Sequence, residues 1–330
     1  MADQEHSQVE SLYRRIGRRD LLRLWGRPGL TALALGALGA SLVGRAGRHR
    51  LSAPSQVPPP PDWRVQTDPA LAAAAGNGPA ANLHRAVGAL GGIARFIRKG
   101  ETVLVKPNCG WDRMPEQAAN TNPELVAEIV RMCLAAGARR VTVADNTCQD
   151  PVRCFRRSGI GQAARQAGAR VVHQGIGGAA SLDLGGTVLG VWSVLKVLAE
   201  ADRVINVPIV KQHSLAVATL GMKNWLGVLL GSRARLHQRI HQSVAELGAA
   251  LRPTLTVVDA TRILTAGGPT GGSLSLVRKA DAVAVSTDPV AADAWGAEQL
   301  RLSPMALPYL AVAERLGLGT PNWRSVSRKA

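Results

Sequence analysis

The chain has 330 residues, 46% hydrophobic and 19% charged, which permits a sizeable core and excludes a wholly disordered polypeptide. That length suits two domains or one large α/β domain. Forty Lys and Arg against 23 Asp and Glu give a formal net charge of +17, and the basic excess persists beyond the N-terminal segment.

A basic body favours acidic partners, such as a small anionic ligand or an anionic membrane surface. Aromatic residues are only 3%, and no nucleic-acid module is recognisable, so no specific nucleic-acid partner is expected. Four cysteines, at 109, 133, 148 and 154, are too few for a disulfide scaffold. Their spacing does not fit a four-Cys iron–sulfur motif. Cys148 and Cys154 are close enough in sequence to pair in an exported chain, with free thiols as the alternative.

Residues 14–23 read RRIGRRDLLR, and an uncharged, Leu/Ala/Gly-rich stretch runs from Pro28 to Gly44. A charged region followed by a weakly apolar one resembles a twin-arginine export signal, with Arg18-Arg19 as the pair. It predicts use of the twin-arginine translocation machinery and a periplasmic or otherwise exported location. No clean A-x-A site follows, and an uncharged stretch of this length sits at the lower edge of a membrane span, so cleavage and N-terminal anchoring both stay open. The expected division is a leader over 1–50, a Pro/Ala-rich linker over 51–80 and an α/β domain over 81–330. Pro58 to Pro61 make the linker stiff and extended. The fold is expected to begin between Asn77 and Leu83.

The body alternates strand and helix. ETVLVKPN is a strand, and Asn122-Pro123 opens a helix with Leu125, Ile129 and Cys133 on one face, ended by Gly137. ARRVTVADN is the next strand, which completes a βαβ unit. Ile160 to Ala167 reads as helix and ARVVH as strand. GTVLGV reads as strand, Ser193 to Ala201 as a short helix, and DRVINVP as strand. Glycines leave 209–233 ambiguous. A long helix is expected from Ala234 to Leu251, then strand LTVVDA and a Gly-rich turn, GGPTGG, a flexible turn or an anion-binding nest. Strand Ala282–Ser286 and helices Pro289–Leu300 and Pro304–Leu316 complete the chain. The pattern predicts an α/β fold, a mainly parallel sheet with helices on both faces, in one domain or two lobes.

Parallel sheets bind ligands beyond the carboxyl ends of their strands. Those ends carry Lys106, Asn108 and Cys109; Asp145 and Asn146; Lys211 and His213; Asp259; and Asp288. Lys223-Asn224 lies in the Gly-broken segment. Lys106, Lys211 and Lys223 suit an anion, and His213 suits acid–base work. Asn108, Asp145, Asn146, Asn224 and Asp259 are candidate ligand- or cofactor-binding groups. Cys109, Asp145 and His213 are the weak candidates for a metal. His237 and His241 sit four apart with Arg235 and Arg239 between and beside them, which favours an anion-facing surface over a metal site.

VLVKPNCGW, TNPELVAEIVRMCLAAGARRVTVADN, INVPIVKQHSLAVATLGMKNWLGVLLG, LRPTLTVVDA and STDPVAADAW together resemble the DUF362 family over about residues 100–301. The resemblance matches the family's Lys-Pro-Asn step to Lys106, Pro107 and Asn108, its Lys-x-His step to Lys211 and His213, its Lys-Asn step to Lys223 and Asn224, and its Asp-Pro-Val step to Asp288, Pro289 and Val290. It implies one composite crevice and names no reaction. Some members carry ferredoxin-type domains; that segment has no counterpart here, so no iron–sulfur cluster is expected. The chain reads as an exported protein with an anion- or metal-binding crevice, a redox or isomerising enzyme in one reading. In the others it is a non-catalytic ligand binder, or a membrane-surface protein associated with redox partners.

Overall fold

The computed structural model describes residues 57–330. The arginine pair, the apolar stretch and the start of the expected linker lie outside the described residues. The strands are β1 (Leu71–Ala75), β2 (Thr102–Pro107), β3 (Arg140–Asp145), β4 (Arg170–His173), β5 (Ala179–Asp183), β6 (Val191–Leu195), β7 (Arg203–Val207), β8 (Ile209–His213), β9 (Val217–Thr219), β10 (Leu255–Leu264), β11 (Val277–Ser286) and β12 (Ser327–Arg328). The α-helices are α1 (Pro79–Ala89), α2 (Pro123–Ala135), α3 (Pro151–Arg157), α4 (Ile160–Gln166), α5 (Lys196–Ala199), α6 (Gly221–Asn224), α7 (Ile240–Ala250), α8 (Pro289–Gln299) and α9 (Pro308–Arg315).

The main sheet runs β12-β1-β11-β10-β7-β2-β3-β4, with β8 beside β10 and β9 beside β8. Its centre, β10-β7-β2-β3-β4, is parallel; β11 pairs antiparallel with both β10 and β1. Strands β5 and β6 form a separate antiparallel pair. The alternation of side chains along a strand sorts the core into two layers. Val103 and Val105 of β2 pack with Leu83, Leu125 and Ile129 under α1 and α2, whereas Leu104 joins Val204, Trp225 and Leu247 on the other face. Helix α2 starts as expected: the Asn122 side chain accepts from the Glu124 amide at 3.0 Å, and Pro123 fills the first turn.

Several expectations are corrected. The fold begins earlier than Asn77–Leu83, inside the stretch assigned to a linker. Trp63 is fully buried and its indole donates to the Ala201 carbonyl at 3.0 Å. Strand β1 is Ala-rich and has weak intrinsic β preference; the free edge of β11 supplies its partner. Val191–Leu195 is strand rather than the start of a helix, because its branched residues pair with β5. The long helix from Ala234 is a 3-10 segment, Arg233–Arg239, before α7. Arg233 and Arg235 at its start oppose the helix dipole, and no side chain caps it. The last helix begins at Pro308, after a separate 3-10 turn at Pro304–Ala306. Cys148 and Cys154 are free, the first exposed and the second buried. Among the described residues no helix is long and apolar enough to cross a membrane.

Candidate functional site

Strands β3 and β4 lie to one side of β2, and β7 and β10 to the other. The strand order therefore reverses between β2 and β7, and such a switch point opens a crevice at the carboxyl ends of its strands. Lys106 and Asp145 end neighbouring strands there. Lys106 Nζ donates to Asp145 Oδ1 at 2.6 Å, to the Pro107 carbonyl at 2.7 Å and to Asn224 Oδ1 at 3.2 Å. Three acceptors match the three N–H groups of an ammonium. Burial pulls the Lys106 pKa down, and the Asp145 carboxylate opposes that pull. Asp145 Oδ2 accepts the Cys109 amide at 2.6 Å. Gly227 passes over the pair so closely that a β-carbon there would overlap both the carboxylate and the ammonium.

Two asparagines tie the strands together. Asn224 donates to the Lys106 carbonyl at 3.2 Å and to Asn206 Oδ1 at 2.8 Å, and accepts from Asn108 Nδ2 at 3.0 Å. Asn108 Oδ1 in turn accepts from Lys211 Nζ at 3.0 Å, and Lys211 also donates to the Ala119 carbonyl. Lys211 has no carboxylate partner among the described residues. Its pKa falls to about 7, through burial first and then the nearby Lys223 and Lys106, against an upward pull from Cys148 and Asp145. Asn146 donates its amide to the Gly227 carbonyl at 2.6 Å and its side chain to Leu229, fixing the loop that covers the ion pair.

His213 ends β8. Its Nδ1 lies 3.1 Å from the Leu215 amide and 3.2 Å from the Ala216 amide, and backbone amides only donate. Nδ1 is therefore an acceptor and the neutral ring carries its proton on Nε2. Burial, then Lys223, Lys211 and His237, push its pKa down to about 3. The His237 ring stacks on it, 6.4 Å between centroids.

Lys223 rides on α6, a single helical turn whose first amides, Gly221 and Met222, donate to the buried Asp293 carboxylate at 2.6 and 3.1 Å. The Tyr309 hydroxyl donates to the same carboxylate at 3.1 Å. Lys223 is 9% exposed, and its amine makes no hydrogen bond or ion pair with any described residue. Burial and then Arg233 lower its pKa to about 8, against a pull from Cys148.

Lys106, Asn108, Asp145, Asn146, Lys211, His213, Lys223 and Asn224 all line one cavity of about 370 Å³. Sequence reasoning missed several of its walls. Trp111, Leu215, Leu226 and Pro269 give it apolar surface, and Cys148, Thr219, Arg233 and His237 add polar groups. Thr219 Oγ1 is buried without a partner. The Arg233 guanidinium clamps the Asn146, Leu226 and Thr147 carbonyls at 2.8 to 3.0 Å. His237 was read with His241 as part of an anion-facing surface and Arg233 only as part of a basic run, whereas nothing in the sequence marks Cys148 or Thr219 as neighbours of the lysines. Pro269 brings the Gly-rich turn to the rim, but the turn is anchored: Gly268 donates to Gln212 Oε1 at 2.7 Å, and Gln117 donates to the Gly272 carbonyl at 2.8 Å.

Two candidates fall outside. Asp259 is fully buried and does not reach the cavity; it accepts from the Asn122 amide at 2.7 Å and from the Thr261 hydroxyl at 2.7 Å, and burial raises its pKa. Cys109 is buried against Ser158, 3.6 Å from its hydroxyl, and burial pushes its thiol well above the ordinary range. With Asp145 engaged by Lys106 and Cys109, the three metal candidates do not form a ligand set. Among the described residues no group of three or more His, Cys, Asp or Glu is placed to hold a metal ion. His237 faces the cavity while His241 does not, since the helix type changes between them. Asp288 caps α8 through the Val290 and Ala291 amides, both at 2.8 Å.

A larger cleft, about 790 Å³, lies at the opposite ends of the strands, lined by Asp62, Arg64, Arg95 and Arg252 among others. There Arg64 pairs with Asp62 at 2.7 Å, Arg95 donates to Thr67 at 2.6 Å, and Arg252 donates to the Leu318 carbonyl at 3.4 Å.

A thylakoid-associated protein from Synechocystis sp. is 28% identical over 246 residues, covering 72% of this chain and 75% of that protein. The lactate racemase apoprotein from Thermoanaerobacterium thermosaccharolyticum aligns in structure at a TM-score of 0.43 and 15% identity, over 72% of this chain; the chain spans 58% of the length of that protein. The domain of unknown function DUF362 matches residues 103–298, and this chain is a member of that family.

Proposed function

We propose that the cavity at the β2/β7 switch point binds a small organic anion and acts on it through amine and imidazole groups. One observation carries this reading: Lys211 and Lys223 are both buried and line the same cavity, without a carboxylate partner among the described residues. Buried cations without a counter-ion are costly, and an anionic ligand relieves that cost. The one carboxylate in the lining, Asp145, is already engaged by Lys106. A volume of about 370 Å³ suits a small molecule rather than a macromolecule. Trp111, Leu215 and Leu226 would face its carbon skeleton, and His213 Nε2–H would donate to one of its oxygens. A neutral, donating imidazole stabilises developing negative charge without first having to lose a proton. An isomerising reaction next to a carbonyl group fits this set.

Oxalate is a suitable probe. Calorimetry with the purified chain is expected to show one site per chain, weakened by Lys211→Met and by Lys223→Met. Absence of binding at low ionic strength would remove the reading.

For location, the leader motif supports export by the twin-arginine route, and the thylakoid association of the Synechocystis relative is compatible with a membrane surface. Fractionation of cells expressing the chain and an Arg18→Lys/Arg19→Lys variant is expected to move the protein from the exported fraction to the cytoplasm. An unchanged distribution would exclude this route.

A further inference from the structure

We propose that Lys223 is a nucleophilic amine and that the cavity takes small 2-oxo acids, whose keto carbon condenses with it. This rests on the anion-binding reading and deepens it by naming the substrate class and the covalent step.

The three cavity lysines differ in what the protein leaves them free to do. Lys106 gives all three N–H groups to protein acceptors, one of them the Asp145 carboxylate. Lys211 gives two, to Asn108 and Ala119. Lys223 gives none to any described residue, although it is nine-tenths buried and lines the cavity. Its backbone is held: Asp293 grips the start of α6, and the side chain of the next residue, Asn224, is bonded on both its oxygen and its nitrogen. A largely buried, unpartnered amine on a fixed backbone, beside other cations, is the arrangement that favours the neutral nucleophilic form. Its pKa of about 8 agrees with that geometry.

The neighbours suit the rest of a 2-oxo acid. Lys211 and Arg233 supply positive charge for the carboxylate, and the Nε2–H of His213 supplies a donor for the keto oxygen. The Lys223 nitrogen lone pair forms a C–N bond to the keto carbon, and the carbonyl π pair moves to oxygen. Nitrogen loses one proton and oxygen gains one, giving a carbinolamine. Protonation and loss of the hydroxyl as water then leave a C=N bond. One amine and one ketone become one imine and one water, with no oxidant or reductant consumed.

The test uses the folded, purified chain with pyruvate, near neutral pH, followed by cyanoborohydride, which reduces any imine to a stable N-carboxyethyl lysine. Peptide mass mapping is expected to place the adduct on Lys223, at least about tenfold above the exposed Lys196, Lys279 and Lys329. Oxalate, which has no keto carbon, is expected to suppress it. Lys223→Arg removes the nucleophilic amine and is expected to lose the adduct. An adduct spread evenly over surface lysines, or none, with oxalate binding intact, overturns the imine and leaves the anion site standing. Loss of oxalate binding by the unmodified chain removes both. The map is read on the unsubstituted chain, so a variant that fails to fold does not rescue the proposal.

Discussion

Lys106 and Asp145 meet at 2.6 Å from the ends of adjacent parallel strands, both side chains withdrawn from water. Removing one partner of such a pair strands the other as a buried charge, at a cost of about 3–5 kcal/mol. Lys106→Met is therefore expected to destabilise the fold by about that amount. Lys106→Met combined with Asp145→Asn keeps an acceptor for the Cys109 amide and is expected to recover much of the loss in urea melts. Gly227→Ala is expected to be as harmful as Lys106→Met, since its methyl group has no space over the pair. If the double variant is no more stable than the single one, the pair is not the source of the loss.

Anion binding is expected to depend on pH through Lys211 and Lys223. Their folded pKa values, about 7 and about 8, lie below the ordinary lysine value, so without a ligand both lose protons as pH rises through that interval. A bound anion favours the charged forms. Oxalate affinity is therefore expected to fall as pH rises through 7, and more steeply above 8. Lys223→Met is expected to weaken it about 10- to 100-fold at neutral pH, the worth of one charged hydrogen bond. Calorimetry across that range measures both effects.

His213 has a folded pKa of about 3 against an ordinary value near 6.5. The unfolded chain binds more protons between those values, so its contribution to stability is lost as pH falls from about 6.5 towards 3. Nitrogen NMR is expected to show an unprotonated Nδ1 and a protonated Nε2 throughout the neutral range. A ring that titrates near 6.5 would contradict this.

Asp293 behaves in the opposite sense. Burial raises its pKa to about 7, against its hydrogen-bond donors, so the native state binds the extra proton. Its contribution therefore falls as pH rises from about 4 through 7. Asp293→Ala is expected to destabilise the chain by several kcal/mol, leaving the Gly221 and Met222 amides and the Tyr309 hydroxyl unpaired. It is also expected to weaken oxalate binding, because α6 carries Lys223. Asp259→Ala is expected to destabilise through Asn122 and Thr261 with little effect on binding in the variants that fold.

The convergence of Lys106 and Asp145 was legible because each closes a short apolar run that reads as a buried strand; Lys211 and His213 were legible because they follow the run DRVINVP, although their own strand, β8, was not read from the sequence. From the residues alone, Lys223 and Asn224 were visible as polar groups in a segment whose structure the glycines left open; the family resemblance marked them as a matched Lys-Asn step. What places them is Asp293, 69 residues beyond Asn224, and no local pattern announces a contact of that range. Asp259 looked equivalent to Asp145, since LTVVDA reads as a buried strand ending there, whereas β10 runs on to Leu264. The difference is what lies opposite: the Asn122 amide in one case and the Lys106 ammonium in the other. Strand β1 was hidden because alanines form a strand only when a neighbouring edge accepts them.

The fixed tautomer of His213 narrows what this pocket can do to a bond. With its Nδ1 lone pair given to two amides and Asp145 given to Lys106, neither His213 nor the one lining carboxylate stands free to pull a proton from water. Sugar-bond cleavage by paired acids requires such a carboxylate. Proton removal would fall to a lysine nitrogen or to Nε2 of His237, whose ring donates its Nδ1–H to the Ala234 carbonyl.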